Sequence, residues 1–200
     1  MRSWVILSLF CLFSCSTQPP AKVAQPLINI IEVDPNRRTH LTKQNLEHLF
    51  KVYDLVPFVF TQTVQIQSMS VPHSHPIITL NTRYMDSPNK LLSSFIHEQL
   101  HWWAMPKTQA IESATIDLAK TFPLTDVENK NRSAHQHLII CYLEFKALSH
   151  FIGEREARKV LTQFMNDDQL YPWHFQQVLE RGAELEKILK KHNLEKLPIN

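Results

Sequence analysis

The chain has 200 residues, 44% of them hydrophobic, with 21 Lys and Arg against 19 Asp and Glu, for a formal net charge of +2 at pH 7. Basic residues scattered among acids exclude the concentrated basic face of a nucleic-acid binder, and the hydrophobic share suffices for one packed core. With three Cys and two Gly, neither a disulfide framework nor a hairpin-rich β architecture is expected.

Residues 1–27 read as a targeting segment and tether. Arg2 precedes an apolar run from Trp4 to Phe13, too short to cross a bilayer and suited to a signal peptide over 1–14. The run ends Leu12-Phe13-Ser14-Cys15, which resembles the lipobox of bacterial lipoproteins. That resemblance implies cleavage before Cys15, lipidation of Cys15 and a membrane-anchored lipoprotein of the cell envelope, periplasmic or at the outer membrane in a two-membrane bacterium. The other reading is an ordinary secretory signal, and either one exports the protein. Residues 15–27 are polar, contain Pro19, Pro20 and Pro26 and lack apolar periodicity, so they form a flexible tether ahead of a domain over 28–200. With Cys11 in the signal and Cys15 acylated, Cys141 is left without a disulfide partner.

The domain opens with a short strand over 27–33, a helix over 41–53 capped near Thr39, and a strand over 58–67 with Phe58, Phe60, Val64 and Ile66 on one face. His73 and His75 follow in a Pro-flanked loop. Residues 76–82 are rich in β-branched side chains and form the next strand. Ser87 then caps, and Pro88 starts, a helix over 88–104 carrying Leu91, Leu92, Phe95, Ile96, Leu100 and Trp103, ended by Pro106. Helices are expected over 109–120, over 132–151 with Gly153 as its stop, over 154–165, and over 173–192 with an apolar stripe through Phe175, Val178, Leu185 and Leu189.

Inside the 88–104 helix lies His97-Glu98-Gln99-Leu100-His101. Residues four apart stack on one helix face, so the two imidazoles can grip one zinc ion with Glu98 beside its open side. A catalytic zinc takes three protein ligands and leaves a fourth position open. Candidate third donors are Glu144, buried in an apolar helix where a carboxylate requires a partner, with His137, Cys141 and Glu112 as alternatives. Cys141 also reads as a small buried hydrophobe, and His137 also as a group beside the metal that supports a ligand or faces a developing oxyanion.

The strand at 76–82 followed by the His-Glu-x-x-His helix resembles the zincin metallopeptidases, and a downstream glutamate on a separate helix resembles their gluzincin branch. The resemblance implies a helix-rich α+β fold with a small, mainly antiparallel sheet packed on the motif helix. It implies that strand 76–82 lies at the sheet edge and pairs with an extended peptide. It implies one catalytic Zn2+ held by His97, His101 and Glu144, with Glu98 as general base in peptide-bond hydrolysis. Such chemistry needs one more donor for the oxyanion, and Tyr171 and His174, in the turn that opens the last helix, and His137 are the candidates. The expected partners are a peptide or protein substrate and a membrane reached through Cys15. The alternative is a zinc-containing envelope lipoprotein acting as a non-catalytic binding module.

Overall fold

The computed structural model describes residues 28–124 and 133–198; the signal, the tether and Cys15 lie outside the described residues. The chain runs β1 (Asn29–Glu32), α1 (Arg37–Val52), β2 (Thr63–Ile66), β3 (Ile78–Leu80), α2 (Pro88–Ala104), α3 (Thr108–Thr121), α4 (Ala134–Ile152), α5 (Glu154–Asn166) and α6 (Pro172–Lys191). The helix-rich α+β character matches the expectation. Among the described residues no helix is long and apolar enough to cross a membrane.

The sheet departs from expectation, because its three strands, ordered β1-β2-β3, are all parallel. The cause is α1, a crossover that carries the chain back to its starting edge before β2 begins. Residues 67–77 make a second return between β2 and β3 without a regular helix. Ile30 pairs with Val64 and Val64 with Ile78, so the central strand buries Val64 and Ile66.

Local chemistry moves several boundaries. Asn36 rather than Thr39 caps α1: its side chain accepts from the N–H groups of Arg38 and Thr39, while Thr39 Oγ1 accepts from the Asn36 N–H at 2.9 Å. The strand expected over 58–67 shrinks to Thr63–Ile66, since Pro57 sits in a 3₁₀ turn at Val56–Phe58. Pro88 does start α2, and Gly153, with φ +81°, closes α4 and leads into α5.

Helices α2 and α4 form the centre. From Leu91 to Leu100, α2 buries every residue except Ser94, and α4 buries Leu138 to Leu148 except Lys146. They pack on each other, with α6 and α5 against α4 and with β3 and α1 against α2. Gln99 sets the position of α2 against the chain ahead of β2. Fully buried, its Oε1 accepts from the N–H groups of Phe60 and Thr61 at 2.8 and 3.0 Å, and its Nε2 donates to the Thr61 carbonyl at 2.9 Å. Gln99→Leu strands two donors and an acceptor while keeping the side chain's bulk, and is expected to destabilise the domain by about 3 kcal/mol in urea denaturation. A loss under about 1 kcal/mol would show that this clamp does not set the helix position.

Candidate metal centre

Ser93, His97 and His101 follow one another at helical spacing of four along α2, and His137, Cys141 and Glu144 share a face of α4. The two faces meet in antiparallel sense. Glu144 meets Ser93 and His97, while His137 meets His97 and His101. A polar seam thus runs through the contact of two otherwise apolar helices.

Glu144 is 1% exposed. Its Oε1 accepts from Ser93 Oγ at 2.5 Å and its Oε2 lies 2.8 Å from His97 Nδ1. On the other side of the same ring, His97 Nε2 stands 3.3 Å from His101 Nε2. His137 closes this side: one nitrogen from each of His97, His101 and His137 lies within 4.8 Å of the other two. His137 Nε2 is buried and has no hydrogen-bond partner among the described residues, a cost of about 1–3 kcal/mol unless something occupies it. Three imidazoles converging with an orphaned nitrogen fit a divalent transition metal.

The expected third donor, Glu144, is therefore placed behind His97, on the nitrogen facing away from His101. His137, the alternative, stands where the convergence requires a third nitrogen. His97, Cys141 and Glu144 make a second close group, wholly buried. Burial and the neighbouring Glu144 push the Cys141 thiol well above its ordinary range, which keeps it protonated while no cation is bound. Glu112 is exposed on α3.

Burial dominates the electrostatics. It lowers His97 to about 4 and His101 and His137 to about 3, so all three rings are neutral and free to ligate at pH 7. It raises Glu144 to about 8, against the Ser93 hydrogen bond, and Glu98 to about 8, with Glu144 adding to the rise. A cation on the three imidazoles would supply the charge these carboxyls lack and reverse their direction.

Glu98, 6% exposed, lines a cavity of about 160 Å³ together with His97 and Tyr171. Tyr171 enters α6 with φ 47° and ψ 44°, a left-handed backbone that costs a non-glycine residue about 1 kcal/mol or more. This places its ring parallel to His97, centroids 5.3 Å apart, and 4.8 Å from His137. His174 is buried, but its Nε2–H donates to the Ala134 carbonyl at 3.0 Å and so ties α6 to the start of α4. His75 stacks on Trp102 and His73 Nδ1–H donates to the Val71 carbonyl, so both brace their loop. A second cavity of about 360 Å³ opens beside His101 and His137, toward Met105 and Ile111.

Sequence reasoning missed Ser93, although a hydroxyl four residues ahead of His97 on a buried stripe was a usable signal. It also missed Arg83 and Tyr84, which line the Glu98 cavity from the loop after β3. No protein-family model, curated protein or solved structure matches the chain.

The burial pattern predicts a pH optimum for the metal-free fold. Below 6.5 the unfolded chain protonates His97, His101, His137 and His174 while the fold resists to about 3 or 4, so stability falls with pH across that window. Glu98 and Glu144 keep protons to about 8 when folded and 4.5 when unfolded, so stability also falls as pH rises between those values. Four imidazoles outweigh two carboxyls below 6.5, and the chelator-treated protein should be most stable near that pH in denaturation curves taken from pH 4.5 to 8.5. A steady climb to pH 8.5 would contradict the burial of the two carboxyls.

Proposed function

We propose that the chain is an exported zinc-dependent metallopeptidase of zincin type, anchored to a membrane through Cys15. The observation that carries the reading is the convergence of one nitrogen each from His97, His101 and His137, with His137 Nε2 unpartnered among the described residues and Glu98 beside His97 in an apolar-walled cavity. Here His137 is the third ligand and Glu144 the carboxylate that orients His97. By accepting the Nδ1–H of His97, Glu144 fixes the tautomer that leaves Nε2 free to ligate, and Ser93 holds Glu144 in place.

The three imidazoles would hold a zinc ion, which would supply Lewis acidity toward a scissile carbonyl and toward water near neutral pH. Glu98 takes the proton from the attacking water and passes it to the departing amine. The Tyr171 hydroxyl is the donor for the oxygen that gains charge as the carbonyl becomes tetrahedral, with its ring held by the stack on His97. His174 positions the start of α6, directly after Tyr171. The apolar wall of the cavity strengthens each of these polar interactions.

Zinc content and cleavage of a peptide library, measured on the same samples, test this. His97→Ala, His101→Ala and His137→Ala should each lose stoichiometric zinc, whereas Glu144→Gln should keep the site with about 10- to 100-fold weaker affinity. Glu98→Gln should keep zinc and lose about 100-fold or more in kcat. Zinc lost from Glu144→Gln but retained by His137→Ala would restore Glu144 as ligand, and stoichiometric zinc without cleavage of any peptide would turn the reading to a binding module. The anchor is tested separately: Cys15→Ser should move the protein from the membrane fraction to the soluble fraction of the cell envelope.

A further inference from the structure

β3 is an edge strand, but its outer edge is closed. The Thr79 N–H donates to the His73 carbonyl at 2.8 Å, and the Thr79 carbonyl accepts from the His73 N–H at 3.1 Å. Asn81 Nδ2 also donates to the Ser70 carbonyl at 3.0 Å. The covering segment offers little edge of its own: Pro72 has no N–H, and the Val71 carbonyl already accepts from Ser70 Oγ and His73 Nδ1. An extended peptide therefore cannot run along β3 past Thr79. Residues 70–72 also wall the cavity beside Glu98, so a peptide meets that cavity with an end.

The lining identifies the end. Tyr84, Phe164, Leu170 and Phe175 give the cavity apolar walls, and Arg83 joins them. Arg83 is half exposed; its guanidinium pairs with Asp168, Nη2 to Oδ1 at 3.0 Å, and lies 5.9 Å from the centroid of the Tyr84 ring. Asp168 is shared with Lys90 Nζ at 2.9 Å. At this wall one carboxylate between two cations leaves surplus positive charge and guanidinium donors that suit a carboxylate and repel an amino terminus; the acidic side chains that line the same cavity are Glu98 and Glu144.

We infer that, granted the metallopeptidase reading, the substrate is a peptide presented by its free C-terminal carboxylate, which pairs with Arg83 while a bulky apolar last side chain fills the cavity. Hydrolysis then adds one water across the last peptide bond. The C–N bond breaks, the acyl carbon gains the hydroxyl, and the nitrogen of the released amino acid gains the proton delivered by Glu98.

The test uses the full chain carrying Glu98→Gln, incubated with zinc and titrated with dansyl-Gly-Gly-Phe and with its C-terminal carboxamide, followed by fluorescence anisotropy. The free carboxylate should bind at least about tenfold more tightly. Adding Arg83→Gln should bring the ratio near one with zinc content and thermal midpoint unchanged. Equal binding of the two peptides, a preference that survives Arg83→Gln, or no saturable binding of either would overturn end recognition. Absence of zinc from every sample would overturn the metal reading instead, since the peptide preference is read without turnover.

Discussion

Everything in this domain is arranged around a carboxylate and an imidazole buried together, Glu144 against His97, where α2 crosses α4. Neither group is tolerable alone in an apolar interior, since a buried polar group without a hydrogen-bond partner costs more than one side-chain contact returns. Their pairing, with Ser93 on the second carboxylate oxygen, lets two helices bury nearly their whole circumference and still keep polar chemistry between them. The pair also orders the ring, because a hydrogen bond at Nδ1 decides what His97 can present at Nε2. His101 and His137 gather on that second face, and Tyr171 closes over it.

Around this seam the fold works by restraint. Gln99, which points away from the imidazoles, locks α2 to the chain ahead of β2. Two consecutive motif residues thus serve opposite ends, with Glu98 facing a cavity and Gln99 a backbone. At the far wall, Lys90 and Asp168 tie the start of α2 to the connection before α6, and His174 ties α6 to α4. The left-handed backbone at Tyr171 persists because these ties fix both sides of it.

The helices were legible in the sequence because their signals are local. Pro88 and Gly153 mark ends that hold, and the apolar spacing in α2 and α6 gives faces that are indeed buried. The parallel sheet was legible only in part. Scarce glycine argued against tight hairpins, and a helix between the first two strands is what a parallel pair needs, but strand direction is a long-range property that short apolar runs do not encode. The third member of the histidine group shows the same limit. Spacing placed His97 and His101 on one face, but whether α4 offers His137 or Glu144 there depends on how it lies against α2, a matter of about two helical turns, or roughly 10 Å, of register between two buried helices. Cys141 was legible as packing, since it is a small side chain in an apolar run and is fully buried.

The parallel strands have a consequence for how this protein can vary. The chain leaves β2 and β3 in the same direction, so the segments that follow them, around Ser70–Pro72 and Asn81–Tyr84, arrive side by side at the carboxyl ends of the strands and wall the same cavity. Neither segment contributes to the seam between α2 and α4. Loop length and composition can therefore drift, lengthen or be exchanged while the histidine cluster stays fixed, which makes the cavity wall and the helix seam separately inheritable parts of one small domain.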